Sequence, residues 1–437
     1  MKQILPFLLI ILIFSPAYSQ LNMEVVGSDL RGPIGITLDG GSNLWIAESG
    51  TGANDGAVSV IWSDGTQQRV IDNLPSLYDT LSAETAGPTR VQVFNEQYLG
   101  VLLAGGLPEV GSSIVVFEID SISPGGAVLS LENAANIIHL EERVLQLGFA
   151  ESNGFSFVHD GSDLYIADAA ANAIMHRDGL TGVIKPIASF PPSPNPLPFG
   201  PPVYEAVPTR ILHNPDGGFF VSQLTGFPFL DGASKIFGVD SAGQVSVIDS
   251  GLTLVTDMAM APSGDGLLAL QFANFRGDSL PPFLIGSAQI TKVGFDGSKD
   301  TIATGFGPSP GLAVAGENDF YVTNLLFGTV THLTASTTAN KDFNDLKVQP
   351  LTIAPNPVTE NFSVSWQQPE SGQAILRISS FEGKTLMVKD LGQAQRGDHN
   401  LELNRNSLNL SGISNQPLVI MITSGKNIFA NKIILAK

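Results

Sequence analysis

The chain has 437 residues with 43% apolar side chains, 46 glycines, 28 prolines and no cysteine. This fits a turn-rich globular protein of two or three domains, and it excludes disulfides, thiolate nucleophiles, thiolate metal sites and a lipid-carrying cysteine anchor. The formal charge is −19, with residues 346–437 holding nine Lys/Arg against six Asp/Glu and the rest holding 13 against 35; so acidic a body repels phosphate backbones and anionic membrane surfaces, which argues against nucleic-acid binding but permits divalent cations or cationic partners.

At the N-terminus, Lys2 precedes an apolar run from Ile4 to Phe14, and Ala17-Tyr18-Ser19 places small residues where a signal peptidase reads them. Residues 1–19 are therefore predicted to be a signal peptide cleaved before Gln20. The apolar run is too short to span a bilayer, so the expectation is an exported protein that is not an integral membrane protein.

From Leu21 to Ala335 one pattern recurs six times. An apolar strand leads to an Asp/Gly/Asn turn, and a second strand ends in a small residue and a polar one. The copies include Leu44-Trp45-Ile46-Ala47-Glu48, Leu164-Tyr165-Ile166-Ala167-Asp168, Phe219-Phe220-Val221-Ser222-Gln223, Leu267-Leu268-Ala269-Leu270-Gln271 and Phe320-Tyr321-Val322-Thr323-Asn324. A repeat of roughly 50 residues made of short strands predicts a β-propeller with one four-stranded blade per repeat.

In the first repeat, Ile34–Leu38 and Leu44–Ala47 flank Asp39-Gly40-Gly41-Ser42-Asn43, and Val58–Trp62 and Gln67–Ile71 flank Asp64-Gly65. These are hairpin signals, because Gly supplies positive φ and Asp or Asn bonds local backbone. The second repeat is less regular, with strands expected at Val91–Phe94, Tyr98–Leu103, Ser113–Ile119 and Ala127–Leu131. The third reads as Phe155–Val158, Leu164–Ala167, Ala173–Arg177 and Val183–Ala188, and the fourth as Arg210–His213, Phe219–Ser222, Lys235–Val239 and Val245–Ile248. Between them the proline-dense segment Phe190–Pro202 is expected to project as an extended loop unable to pair into a sheet. The aromatic loop Phe227-Pro228-Phe229-Leu230 is a candidate contact surface or, equally, a lid. The fifth repeat has a Pro-interrupted insertion near Gly277–Pro282. The sixth yields only three strands before Ala335, and Asn22–Gly27 is expected to supply its fourth, closing the ring and hiding its sheet edges.

Residues 336–350 read as a polar linker. From Leu351 the period changes, and short alternating strands to Lys437 predict a small Ig-like β-sandwich. The expected fold is thus all-β, a six-bladed propeller over residues 20–335 followed by a sandwich over 351–437.

Propeller strands run radially, so the ends of the inner strands converge on the channel mouth. Candidate binding residues there are Glu48, Asp168, Gln223, Gln271 and Asn324, with the first-strand residues Thr89, Asn153, Thr209 and Asp257; Asx residues such as these also commonly cap turns. Arg90 and Arg210 share the context Pro-Thr-Arg. They could hold a carboxylate or other anion bidentately, or pair with neighbouring acids between blades. The six histidines show no zinc-binding spacing, and no Gly-x-Ser-x-Gly elbow or phosphate loop occurs.

The stretches Leu44-Trp45-Ile46-Ala47-Glu48-Ser49-Gly50, Asp64-Gly65-Thr66-Gln67-Gln68-Arg69-Val70, Ala167-Asp168-Ala169-Ala170-Ala171-Asn172-Ala173 and Leu224-Thr225-Gly226-Phe227-Pro228-Phe229 resemble the ScyD/ScyE family of secreted six-bladed propellers, a relative of NHL and TolB-like propellers. That resemblance implies fold and export rather than a particular reaction, and Gln223 departs from the family's expected Glu. Ile353-Ala354-Pro355-Asn356-Pro357-Val358, Phe362–Trp366, Glu382-Gly383-Lys384 and the final Asn431–Lys437 resemble the C-terminal (Por) sorting domain of the Bacteroidetes type IX secretion system, a T9SS type A domain. This implies passage through that machinery to the cell surface or medium. Asn153 and Asp257 occupy places where SMP-30/gluconolactonase-type lactonases keep calcium ligands, so the resemblance implies Ca²⁺ there; the first repeat, Pro33-Ile34-Gly35, offers no third carboxylate.

Two readings stay open from the sequence. One is an exported binding or scaffold module for a small molecule, glycan or protein; the other is a Ca²⁺-dependent lactonase or hydrolase.

Overall fold

Turn residues set the strands by consuming their own polar atoms. Asp39 accepts hydrogen bonds from the backbone N–H groups of Gly41 and Asn43, the Asn43 amide and the Trp45 indole, all at 2.8–2.9 Å. Burial works to raise its carboxyl pKa, but these donors outweigh burial and hold it below its ordinary value. In the fourth repeat Asn214 caps Asp216 N–H at 3.0 Å. There Gly217 and Gly218 have φ of +102° and +79°, and a Cβ on Gly218 would collide with Val239 O, so only glycine serves.

The computed structural model describes residues 21–80, 84–94, 96–277, 282–335, 349–380, 385–405, 408, 417–424 and 427–435. The signal peptide expected at 1–19, residues 336–348 of the linker, the tip of the fifth-repeat insertion at 278–281, the turn Glu382-Gly383-Lys384 and the last two residues lie outside them.

Six antiparallel four-stranded sheets follow one another. Blade one comprises Pro33–Leu38, Leu44–Glu48, Gly56–Ile61 and Gln67–Leu74. Blade two comprises Pro88–Phe94, Tyr98–Leu103, Ser113–Glu118 and Asn136–His139. Blade three is built from Gly154–Asp160, Asp163–Asp168, Ala173–Arg177 and Ile184–Ser189. Blade four contains Pro208–His213, Phe219–Gln223, Ser234–Val239 and Val245–Leu252, and blade five Val255–Met260, Gly266–Gln271, Ala288–Gly294 and Lys299–Phe306. In blade six, Leu312–Gly316, Asp319–Asn324 and Thr329–Ala335 are joined by Leu21–Gly27, which pairs antiparallel with Thr329–Ala335. The expected closing strand is therefore in place.

The first strand of each blade touches the first strand of the next, and the last such strand returns to the first. That closes the ring. Second strands are buried along their whole length in blades one, four and five, because each blade packs on a neighbour through both faces; this is why they read as continuous apolar runs.

Six apolar clusters correspond to the six seams. Val58, Ile71 and Leu74 meet Val91, Leu99 and Phe117 between blades one and two. Further clusters join two to three, three to four, four to five and five to six, and Ile36, Ile46 and Ile61 meet Ala313 and Val330 between six and one. Each fully buried side chain of this size contributes about 1.5–3 kcal/mol.

Every seam also carries one hydroxyl-to-carbonyl hydrogen bond near the axis. Going round, these run from Thr37 to Val91 O (2.7 Å), Thr89 to Gly154 O (3.1 Å), Ser156 to Thr209 O (2.6 Å), Thr209 to Val255 O (2.8 Å), Thr256 to Ser309 O (3.3 Å) and Thr323 to Ile34 O (2.9 Å).

Two expectations are corrected. The fourth strand of blade two is Asn136–His139, not Ala127–Leu131. Leu129 instead bridges Ile71, donating N–H to Val70 O and accepting from Asp72 N–H at 2.9 Å each, so this segment follows the outer strand of blade one. The proline-dense segment is not wholly unpaired either. Ser193–Pro194 pairs with Val203–Tyr204, because Asn195 ties the loop shut by donating its amide to Phe199 O and Pro201 O at 2.8 Å.

After residue 348 a five-stranded sheet (Gln349–Pro350, Asn427–Ile434, Pro417–Ser424, Gly372–Ser380 and Thr385–Ala394, in spatial order) faces a three-stranded one (Thr352–Ala354, Asn361–Gln368 and Gly397–Asn404). Phe362, Val364, Leu376, Ile420 and Phe429 share one core that includes no residue before Leu351, as two sheets packed face to face require. Gln349–Pro350, within the expected linker, runs parallel to Phe429–Ala430. Asn356 clasps the final strand, donating to Lys432 O and accepting from Ile434 N–H, both at 2.9 Å.

Candidate functional site

The first strands of blades one to five share an irregularity. Their register shifts between Pro33 and Ile36, Pro88 and Arg90, Gly154 and Ser156, Pro208 and Ile211, and Val255 and Asp257. Bulges re-aim side chains. The position that follows or falls within the shift is Gly35, Arg90, Ser156, Arg210 and Asp257, and Gly311 is its counterpart beside Thr323 in blade six.

Blades two and five lie opposite each other in a ring of six, so the ion pair between Arg90 Nη1 and Asp257 Oδ2, at 3.0 Å, crosses the axis. Both side chains are wholly buried. Arg210 of blade four approaches the other oxygen, with Nε 3.4 Å from Asp257 Oδ1, and keeps 16% of its side chain exposed. Asp257 also accepts N–H bonds from Met258 (2.8 Å) and from Leu312 of blade six (2.9 Å), while Arg90 donates to Ile36 O of blade one at 3.4 Å. Five of the six blades thus contribute to one polar knot.

Glycine makes the crossing possible. A Cβ at Gly35 would lie 2.5 Å from Thr89 O and 3.3 Å from Arg90 Cδ, and one at Gly311 would strike Ile34 O. Burial and the neighbouring Arg90 charge pull the Arg210 pKa down to about 10, against the opposing pull of Asp257. Arg90 Nε and Nη2 and Arg210 Nε and Nη1 are buried without a hydrogen-bond partner on the protein.

The other candidates serve their own blades. Glu48 accepts from Arg31 N–H and the Ser59 hydroxyl at 2.5 Å each and pairs with Arg69 at 3.2 Å. Asp168 accepts from the Ser152 hydroxyl (2.6 Å), Asn153 N–H (2.8 Å) and Ala171 N–H (3.0 Å); burial nevertheless raises its pKa. Gln271 accepts from Thr253 N–H at 2.6 Å and Asn324 from Phe327 N–H at 3.1 Å. Gln223 occupies the same strand end with its Oε1 buried and unpartnered. All of them except Gln223 thus cap backbone N–H groups near their own strand ends.

Asn153 and Asp257, the expected calcium ligands, have other partners. Asn153 Oδ1 accepts Gly105 N–H at 3.1 Å, whereas Asp257 is engaged by two guanidinium groups and two N–H donors, a setting that suits an anion and not a cation's ligand. Among the described residues no group of three or more His, Asp or Glu is placed to hold a metal ion.

Sequence reasoning passed over a paired structural device. His176 stacks on Tyr165 at 4.7 Å and bonds Asp163 at 2.9 Å, while His332 stacks on Tyr321 at 4.2 Å and bonds Asp319 at 2.6 Å. An Asp-x-Tyr with His 13 residues beyond the Asp is its sequence mark. The aromatic loop packs sideways, with Phe229 5.1 Å from Phe275 and 6.0 Å from Phe283 of blade five. Phe227 stays 45% exposed.

No protein-family model and no curated protein matches the chain. Among solved structures, a Bacteroides thetaiotaomicron protein of unknown function is similar at 12% identity, with 72% of this chain and 76% of that chain covered and a TM-score of 0.47. The soluble aldose sugar dehydrogenase of Escherichia coli, in its apo form, is similar at 10% identity, covering 73% and 100%, with a TM-score of 0.47. The PQQ-bound aldose sugar dehydrogenase of Streptomyces coelicolor is similar at 11%, covering 72% and 98%, with a TM-score of 0.45. Likeness at such identities concerns fold alone. Among the described residues no helix is long and apolar enough to cross a membrane.

Proposed function

We propose that the chain is an exported β-propeller that binds its ligand without converting it, taking it at the axis on the side where Arg210 is exposed, with the C-terminal sandwich as its type IX sorting segment. One observation carries the binding reading. Asp257, the carboxylate among the six axial positions, is held by Arg90 and Arg210 and so is unsuited to act as a general base or as a calcium ligand. The remaining acidic candidates cap backbone. For export, support comes from the N-terminal leader pattern and from Asn356 of the Pro-Asn-Pro segment binding the last strand at Lys432 and Ile434.

The binding reading is tested by assaying δ-lactone hydrolysis with and without Ca²⁺. No metal-dependent turnover is expected; turnover that requires Ca²⁺ and disappears in Asp257→Asn would replace this reading with the lactonase. The export reading is tested by fusing residues 346–437 to a secreted reporter in a type IX-competent host, where the reporter should leave the cell and retention in the periplasm would refute the assignment.

A further inference from the structure

The axis carries more positive charge than it neutralises. Two guanidinium groups converge on one carboxylate, so the knot is left with one uncompensated cation inside a body whose remaining charge is strongly acidic. Four guanidinium nitrogens, two on each arginine, are buried and have no hydrogen-bond partner on the protein; of these only Arg210 Nε faces a carboxylate, Asp257 Oδ1, at 3.4 Å. Buried charged donors are ordinarily paired, and a carboxylate, whose two oxygens offer about four lone-pair sites, matches the planar forks of two arginines.

Two further observations fit an occupant of that kind. Arg90 is wholly buried while Arg210 retains exposure, so there is one side from which a small ligand can approach. The pull on Arg210 toward a pKa of about 10 means its charged form is penalised as it stands, and a neighbouring anion would relieve that penalty.

We propose that the propeller axis binds a carboxylate group, shared between the free donors of Arg90 and Arg210 and entering on the Arg210 side. This assignment rests on the binding reading above and names its ligand class. A peptide C-terminus and a small organic acid share this chemistry, and a spherical inorganic anion is the alternative to be separated from both.

The test is calorimetric titration of the full mature chain with sodium acetate, with a C-terminally free and a C-terminally amidated short neutral peptide, with chloride, and with acetamide as the neutral isostere, at constant ionic strength. Saturable acetate binding with no acetamide binding is expected, together with a ligand-dependent rise in melting temperature. Arg210→Gln should weaken acetate binding by at least about tenfold. It keeps the Arg90–Asp257 pair, and Arg210→Lys, which retains charge but not the fork, provides a second variant with an intermediate loss. Tighter binding of the free peptide than of acetate assigns a peptide terminus, and tighter acetate binding a small acid; either supports the proposal. Equal affinity for chloride and acetate, unchanged acetate affinity in both Arg210 variants, or no saturable acetate signal would overturn it. Those results leave the binding reading standing if lactones remain inert, whereas Ca²⁺-dependent turnover lost in Asp257→Asn would remove that reading whatever acetate does.

Discussion

The propeller and the sandwich solve the problem of uniting sheets in different ways. In the sandwich one apolar core from Leu351 to Leu435 does the work; buried polar contacts such as Gln368 with Trp366 at 3.0 Å and with Ser424 at 2.7 Å lie within that unit, while Arg377 reaches out to Asp29 of the propeller at 3.4 Å. The propeller divides its core among six seams and adds at its centre a circle of hydroxyl bonds and an ion pair across the axis. Apolar packing has no direction, so it tolerates sliding between blades; hydrogen bonds and a buried pair fix one register. The contrast teaches that an architecture built from repeated, similar seams gains uniqueness from polar contacts at the point where all blades meet.

Mutations can break this contrast, and scanning calorimetry of the full chain should follow the two units separately. The largest effect is expected on deleting residues 21–27, which strips Thr329–Ala335 of its partner and opens a sheet edge. The propeller transition should be lost or the protein should aggregate while the sandwich transition stays put; an unchanged propeller transition would contradict closure by this strand. Asp257→Ala comes next, leaving two guanidinium groups buried beside each other, with a cost of about 4 kcal/mol to the propeller alone. Phe362→Ala should cost about 3 kcal/mol, confined to the sandwich, because its side chain is 1% exposed in that unit's core. Coupled losses in both transitions would show that the two units unfold together. Thr323→Val, which removes the hydroxyl's bond to Ile34 O between blades six and one and the acceptor of the buried Gly311 N–H, should lower propeller stability by about 1–3 kcal/mol. If it costs nothing, the axial hydroxyl circle has no role in fixing register.

Much of this could be read in the sequence because it is local. The Asp39 and Asn214 turns announce their hairpins through residues that satisfy neighbouring backbone, and the shortfall of one strand in the sixth repeat points to the N-terminus. Ala127–Leu131 misleads because its apolar content suits an outer strand equally well in two blades, and only the tertiary position of Ile71 decides. At the axis, Arg90, Arg210 and Asp257 each draw attention, the arginines for their shared Pro-Thr-Arg and the aspartate for its strand position. Their meeting does not, since Arg90 and Asp257 are 167 residues apart and adjoin only when the ring shuts. In sequence Asp257 reads as a cation's ligand because its cationic partners, Arg90 and Arg210, lie in other repeats.

The strand that completes the wheel, Leu21–Gly27, precedes every other strand of the propeller, and its partner comes some three hundred residues later; Thr323 must find Ile34 across 289 positions of chain. Such distant pairing makes assembly slow and leaves early intermediates with an open sheet edge. The nascent chain must therefore wait for its own final repeat before it can become resistant to proteases, and a truncation anywhere short of Ala335 should leave a product that quality control removes.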